Sequence, residues 1–195
     1  MHGGWVRQGI SLDGVDQAEN TVVWWLQAPS KHCDLRVPYL DGDGLMAFAG
    51  TTTWADPRLS WHPELELNPS IVDDVGVITW DGPDMIETGL CYQDGREVTY
   101  VERWQRLPSS QDELFALSTD TGRLVRAGSY ALSIVDDRPN GGAFAAVAWT
   151  LTKNEWSVDH RWPADAVAPT PPLFIPAEGG SVVLDDGTEW IIDEC

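Results

Sequence analysis

Residues 30–38, SKHCDLRVP, place His32, Cys33, Asp34 and Arg36 close together. These residue types recur in nucleophilic, metal and acid/base sites. In an extended segment, alternate side chains share a face, so His32, Asp34 and Arg36 point one way and Cys33 points the other. That separation disfavours a Cys–His nucleophile. Two placements of the polar face stay open, inside a barrel or at a solvent-facing edge, and the alternation alone favours the edge.

A second group of candidate residues follows from the hairpin-like sequence CYQDGREV. Asp94-Gly95 is the preferred residue pair for a two-residue hairpin turn. Such a turn places Glu87 directly opposite Glu102 on the neighbouring strand. The face that carries both glutamates is otherwise apolar or aromatic, with Met85, Gly89, Cys91, Val98, Tyr100 and Trp104. We therefore expect this face to point into the protein.

Two opposed carboxylates in an interior cannot both ionise at low cost, so one takes a raised pKa or gains a cation. Acid/base sites use this arrangement, and structural ion-pair networks use it as well. In the acid/base interpretation Glu87 and Glu102 are the catalytic pair and Arg36 is their electrostatic partner. His32 and Asp34 form a second pair near the barrel mouth. The candidate ligand-binding side chains are Trp24, Trp25, Trp80, Tyr92, Tyr100 and Trp104.

Short segments rich in β-branched and aromatic residues, separated by turn residues, must position these side chains. They span residues 21–28, 76–82, 85–92, 97–105, 128–136, 143–151, 155–162, 180–186 and 188–194, with further strands at 4–14 and 59–69. Residues 109–117 predict one helical turn from the capping-box spacing of Ser110 and Glu113, and residues 44–54 are ambiguous. The pattern predicts a mostly β, lipocalin-like antiparallel β-barrel of about ten strands with few short helices.

The domain prediction is one β-barrel domain over residues 1–195. Residues 163–180 contain five prolines. A segment so rich in proline cannot be a central strand, so it is predicted to be a strap across the surface or across a barrel end.

The composition excludes several classes of partner. The net charge of −19 repels phosphate backbones and anionic membrane surfaces, so neither nucleic acid nor a membrane is predicted as a partner. No apolar run is long enough to span a bilayer, and the first residues lack the pattern of a signal peptide. A cytoplasmic location is predicted because the cysteines indicate no disulfide framework. The three cysteines have no disulfide or C-x-x-C spacing.

No metal or cofactor is predicted. The four histidines lie far apart along the chain, and DGDG at 41–44 lacks the glutamate of a calcium loop. A haem or metal binder that uses His32, His62 or His160 stays open as a third alternative. The 11 tryptophans indicate a thick aromatic core or an aromatic-lined cavity.

Residues 86–117 resemble a lipocalin-like, calycin-related family that includes the yeast HRI protein, a casein-kinase interactor. The resemblance rests on ETG at 87–89, Tyr92, ERW at 102–104 and the acidic-apolar residues 112–114, with weaker similarity at 48–51 and 180–194. It implies a calycin-related β-barrel and no established activity. Residues 32–38 and the tryptophans near the start have no clear counterpart, and the casein-kinase interaction is not carried over to this chain.

Two functions follow as hypotheses. In the first, the barrel binds a small apolar or aromatic molecule, and its internal carboxylates act as a metal-free isomerase, cyclase or lyase. In the second, the barrel is filled by side chains and serves as a non-catalytic scaffold that binds another protein through exposed tryptophans. The predicted partner is a small-molecule ligand, and a homodimer stays open.

Overall fold

The computed structural model describes residues 1–39, 45–69, 74–175 and 179–195. Its strands form two antiparallel sheets, and its one helical element in these ranges is the 3-10 turn Arg138–Asn140. Within the same ranges the chain forms no helix that is long and apolar enough to cross a membrane. The DGDG segment at 41–44 lies outside the described residues.

The first sheet closes on itself. Its strands are β1 Gly3–Leu12, β2 Val15–Asp16, β3 Thr21–Gln27, β4 Lys31–Pro38, β5 Met46–Ala55, β6 Arg58–Glu66, β7 Asp74–Asp81, β8 Asp84–Gln93 and β9 Arg96–Arg106. From β3 to β9 each strand pairs with the next, and β1 pairs with both β3 and β9, while β2 extends β1 as a short edge. The result is a closed antiparallel barrel of eight strands, the strand number of lipocalin barrels, which confirms the predicted fold class.

The C-terminal strands form a separate open sheet. They are β10 Leu114–Ser118, β11 Gly122–Ala127, β12 Tyr130–Asp136, β13 Phe144–Thr152, β14 Glu155–Trp162, β15 Ser181–Val183 and β16 Glu189–Glu194. Their order is β14-β13-β12-β11-β10-β16-β15. The sequence pattern identified most of these strands but did not separate them from the barrel. The pairing of β1 with β9 already completes the barrel, so later strands have to pair among themselves.

The predicted helical turn at 109–117 is wrong. Ser110 does not cap a helix, because its hydroxyl donates to the Leu107 carbonyl at 2.7 Å and to the Gly4 carbonyl at 3.3 Å. Ser109 and Glu113 have φ values of 55° and 50°, outside the right-handed helical region. The segment is a tight connection that ends where β10 begins. The ambiguous segment 44–54 is largely strand, since β5 occupies it from Met46 onward.

The second sheet packs against the outside of the barrel wall. Apolar side chains from the outer faces of β3, β4 and β5 meet the inner face of β11, β12 and β13. The barrel contributes Trp24, Leu26, Cys33, Leu35 and Ala47, and the sheet contributes Val125, Leu132, Ile134, Ala146 and Ala148. Both faces of β4 are therefore buried, the polar face inside the barrel and the apolar face between the sheets.

The Pro-rich segment 163–175 crosses the far face of the second sheet and contains no strand. Ala166 packs with Val147 and Trp149. The buried Arg126 guanidinium donates to the Leu173 carbonyl at 2.6 Å and so fastens the segment to β11. Residues 176–178 of the predicted strap lie outside the described residues.

One half of the barrel interior is filled with side chains. Trp25 lies at its centre, with ring centroids 6.4 Å from Trp5, 5.5 Å from Trp61 and 5.8 Å from Trp104. Val23, Leu59, Ile78 and Met85 complete this cluster. These side chains pack closely and fill this half of the barrel interior.

Candidate functional site

The barrel contains a cavity of about 510 Å³. This volume is within the usual range for small-molecule pockets. Apolar and aromatic side chains, among them Ile10, Phe48, Trp61 and Leu90, form part of its wall. The remaining wall is polar and carries Arg36, Glu66, Asp74, Glu87, Tyr100 and Glu102. The cavity therefore combines an apolar surface with a cluster of carboxyl groups.

The hairpin of β8 and β9 positions the two central carboxyls. Asp94 and Gly95 have φ values of 52° and 75°, the left-handed conformations of a type I′ turn. Glu87 then pairs with Glu102, and Gly89 with Tyr100, in the register that the turn predicts. The predicted register is confirmed, and the shared face points into the barrel, where Glu87 and Glu102 are both buried.

Glu87 is held by two hydrogen-bond donors. The Tyr100 hydroxyl donates to its Oε1 at 2.6 Å, and the Trp104 indole N–H donates to its Oε2 at 3.1 Å. Burial, followed by the nearby Glu102 carboxyl, raises the pKa of Glu87 well above its ordinary value. Burial and Glu87 also raise the pKa of Tyr100, so its hydroxyl remains a donor. Glu87 consequently keeps its proton to a higher pH than an exposed glutamate.

Glu102 has a different partner, which the sequence analysis missed. Arg7 on β1 donates from Nη1 to Glu102 Oε1 at 2.5 Å and from Nε to Glu19 Oε2 at 2.8 Å. The signal that could have identified Arg7 is its position two residues after Trp5, on the inward face of β1. Because β1 pairs with β9 across the closure of the barrel, Arg7 reaches a residue far from it in the sequence.

Arg36 lies inside the barrel, as the inward interpretation of residues 30–38 requires. Its Nε is 3.0 Å from Asp34 Oδ1, and its Nη1 is 3.9 Å from Glu102 Oε1. Burial acts to lower the pKa of Arg36, but the Asp34 and Glu102 carboxylates outweigh it and raise that pKa. The solvent-facing edge that the alternation favoured is therefore wrong. The second sheet covers the Cys33 face and leaves the polar face to the interior.

Asp74, at the start of β7, lines the cavity and was also missed by the sequence analysis. Burial raises its pKa to about 6, with Asp34 and Glu102 adding to the rise and Arg36 opposing it. The predicted strand began at residue 76, so Asp74 was assigned to no element. Only the pairing of β6 with β7, which sets Trp61 against Asp74, identifies it as a barrel position.

His32 also faces the interior but does not join the carboxyl cluster. It is completely buried with its ring 5.6 Å from the Phe48 ring, and within the described residues neither ring nitrogen has a hydrogen-bond partner. Burial, with smaller contributions from His62 and Lys31, lowers the pKa of His32 to about 3. The predicted His32–Asp34 pair is not formed, because Asp34 is bound by Arg36 instead.

The predicted aromatic wall is partly misplaced. Tyr100 lines the cavity, while Trp25 and Trp104 belong to the packed half of the interior. Trp24 faces away from the interior and meets Tyr130 of the second sheet, with ring centroids 5.4 Å apart, because strand alternation sets it opposite to Trp25. Two further predicted wall residues are exposed, Trp80 at 53% beside the packed half and Tyr92 at 57% near the hairpin turn. Phe48 and Trp61 take their place as cavity aromatics.

Cys33 takes no part in the carboxyl cluster. Cys33 is a free, buried thiol whose Sγ lies 3.9 Å from the Arg123 carbonyl of the second sheet, and burial raises the pKa of this thiol. It lies on the opposite face of β4 from His32. In the part of the chain that the structure describes, no group of three His, Cys, Asp or Glu side chains is arranged to hold a metal ion.

Comparisons with known proteins extend these observations. The sequence model of one protein family, described as Protein HRI1, matches residues 5–194. The crystal structure of an uncharacterized protein, YLR301w from Saccharomyces cerevisiae, is similar with a TM-score of 0.79 and 14% sequence identity, and the match covers 98% of each chain. At this identity the similarity concerns the fold alone. No curated protein matches this chain.

Proposed function

The chain belongs to the HRI1 family, and on that premise we propose that its barrel binds one small, partly apolar or aromatic molecule. The observation that carries the proposal is the division of the interior into a tryptophan-packed half and a cavity of about 510 Å³. Barrels of eight strands either fill with side chains or hold one small ligand, and this one is filled in one half and has a cavity in the other.

The polar wall of the cavity favours a ligand that carries polar groups and binds in one orientation. Glu87 and Glu102 are 4% and 3% exposed, and each is fixed by hydrogen-bonded partners that leave it in one position. Arg36 is fixed in the same way by Asp34. Preorganised polar groups bind their targets without the cost of reordering, which favours specific recognition.

In its sharper form the proposal includes metal-free proton transfer, in the class of an isomerase, cyclase or lyase. Glu87, whose pKa is raised by burial and by Glu102, would donate a proton to an oxygen of the ligand. Asp74, whose pKa of about 6 leaves it ionised at neutral pH, would take a proton from an adjacent carbon. Carboxyls whose surroundings shift their pKa values are the usual basis of such a pair. Asp74 replaces Glu102 as the base, because Glu102 is bound by Arg7.

The second candidate is the non-catalytic protein-interaction scaffold, which one observation favours. Trp54 and Trp80 line a smaller cavity of about 250 Å³ on the packed half of the barrel. Both are large apolar side chains at the surface, with exposures of 47% and 53%. Exposed aromatic patches of this kind mark interaction surfaces. The partly empty barrel favours the ligand-binding proposal over this one.

The first test is saturable quenching of tryptophan fluorescence by a library of small aromatic and apolar compounds. Trp61 lies in the cavity wall and reports on occupancy. We expect a bound compound to quench the wild type, and Glu87→Gln to change its affinity at least about fivefold, since Glu87 lies in the same wall. Glu97→Gln makes the same chemical change on the exposed face of β9 and should leave binding unaltered.

The contrary result would be no saturable response of the folded wild type to any compound, which would favour the scaffold. Equal affinities in the wild type and Glu87→Gln would place the bound compound elsewhere, away from the carboxyl cluster. The folded state of each variant is checked by circular dichroism before binding is measured.

A further inference from the structure

We propose that the cavity selects an organic cation, a protonated amine attached to an apolar or aromatic body. This inference rests on the proposed ligand-binding function and names the chemical class of the ligand. It follows from the charges around the cavity, from the partners that those charges already have, and from the aromatic surface beside them.

The described residues of the cavity wall carry an excess of acidic groups. Four of them are carboxyl residues, Glu66, Asp74, Glu87 and Glu102, and Arg36 is the one lysine or arginine among them. An anionic ligand would meet this excess as well as the net charge of −19 on the whole chain. The negative electrostatic potential of these acidic groups raises the local concentration of cations at the mouth of the cavity.

The two arginines inside the barrel, Arg7 and Arg36, already have carboxylate partners. Arg36 is paired with Asp34 at 3.0 Å and lies 3.9 Å from Glu102, and Arg7 binds Glu102 and Glu19. Neither Asp74 nor Glu87 forms an ion pair with a lysine or arginine of the described residues. A ligand cation would be a direct charge partner for Asp74 and would favour the ionised form of Glu87.

The surroundings of Glu87 support a cationic ligand independently of how many acidic residues line the cavity. Its side chain is 4% exposed, faces the cavity and accepts hydrogen bonds only from the neutral donors Tyr100 and Trp104. Burying a carboxyl away from every direct cationic partner is costly, and proteins keep such groups mainly where they have a task. A bound ammonium group would compensate for that desolvation.

The aromatic side chains of the wall fit the rest of such a ligand. Phe48 and Trp61 line the same cavity as the carboxyls. Aromatic faces attract cations and also bury apolar surface, so the pairing of aromatic rings with carboxylates is suited to organic cations. The Arg36 guanidinium already lies 5.8 Å from the centre of the Phe48 ring, an internal example of the same contact.

The experiment compares three probes of one shape: 1-naphthylmethylamine, 1-naphthalenemethanol and 1-naphthoate, which are cationic, neutral and anionic at pH 7.5. Their affinities for the full chain are measured by isothermal titration calorimetry. We expect the amine to bind at least about tenfold more tightly than the alcohol, and the carboxylate to bind more weakly than both. Added salt should weaken binding of the amine more than that of the alcohol.

Asp74→Asn removes one unpaired carboxyl and should reduce the preference for the amine over the alcohol at least about threefold. Asp120→Asn removes the same charge at an exposed turn far along the chain and should leave the preference unchanged. The wild-type comparison of amine with alcohol stands even if Asp74→Asn does not fold.

An alcohol or carboxylate that binds as tightly as the amine would overturn the cation preference and leave the ligand-binding function intact. Absence of binding by all three probes would also overturn this inference, while the compound library would report separately on the proposed function. An equal loss of preference in Asp120→Asn would show that only the overall charge matters, and the cavity assignment would then be wrong.

Discussion

Glu87 and Glu102 are identical residues directly opposite each other, yet the fold gives them different properties. Glu87 accepts hydrogen bonds from the neutral groups of Tyr100 and Trp104, whereas Glu102 accepts from the charged Arg7. Burial and the nearby Glu102 carboxyl favour the protonated form of Glu87. Of the two, only Glu87 therefore has a proton-transfer role in the proposed site, while Glu102 is held by Arg7.

His32 provides a prediction about stability and pH. Its pKa falls from 6.5 to about 3 on folding, because burial disfavours the charged ring. Between these two values the unfolded chain binds a proton that the folded chain does not. The free energy of unfolding therefore falls as the pH drops through this window, by up to roughly 5 kcal/mol from this group.

His32→Leu removes the titration without removing any hydrogen bond, since both ring nitrogens lack partners among the described residues. In urea unfolding at pH 7 and pH 4.5, we expect the variant to gain about 2–3 kcal/mol relative to the wild type at the lower pH. Gln105→Leu, at an exposed position of β9, is the control and should not show this gain. Parallel pH profiles of His32→Leu and wild type would contradict the assignment.

At the scale of elements, the cavity wall depends on a close approach of β5 and β6. The pairing of these strands shifts between Ala49 and Gly50, a β-bulge that bends the wall. A Cβ atom at Gly50 would overlap the His62 carbonyl oxygen and lie 2.9 Å from the Glu64 amide nitrogen. Both atoms are backbone, so they cannot move aside as a flexible side chain would.

Gly50→Ala should therefore lower the free energy of unfolding by about 3 kcal/mol, through overlap with a neighbouring strand. Gly9→Ala is the matched control, because Gly9 also lies at a bulge in β1 and has no atom near its Cβ position. We expect less than about 1 kcal/mol there. Urea unfolding measures both, and equal effects at the two glycines would refute the close-approach argument.

At the scale of the whole molecule, the barrel and the second sheet share one core. Leu132 and Ile134 of the second sheet pack in the same cluster as Trp24, Leu26 and Leu35 of the barrel. The Glu194 carboxylate, at the end of the last strand, accepts from the backbone amides of residues 30 and 31 at the β3–β4 turn, at 3.0 and 2.8 Å. Neither sheet buries its apolar face without the other.

The shared core predicts one cooperative unfolding transition. Leu132→Ala should lower the free energy of unfolding by about 3 kcal/mol. Circular dichroism and tryptophan fluorescence should still give coincident urea curves. Val167→Ala, at a position that is 86% exposed, is the control and should cost less than about 0.5 kcal/mol. Two separate transitions, with only one shifted by Leu132→Ala, would show that the sheets fold independently.

Local sequence determined the parts of this protein that depend on neighbouring residues. Asp94-Gly95 fixed the β8–β9 register, and with it the opposition of Glu87 and Glu102, because turn chemistry and the two-residue period of a strand act over a few positions. The same period placed His32, Asp34 and Arg36 on one face and Cys33 on the other. These relationships required no knowledge of the rest of the fold.

Tertiary structure decided which of those faces became the interior and which distant residues joined it. β4 is polar on one side and apolar on the other, and only the second sheet, packed on its Cys33 face, turned Asp34 and Arg36 inward. Arg7 and Asp74 reached the carboxyl cluster through barrel closure and through the pairing of β6 with β7. Pairing between strands far apart in the chain depends on the total apolar surface that the whole molecule buries. A local sequence pattern does not contain that total, so it cannot predict such pairing.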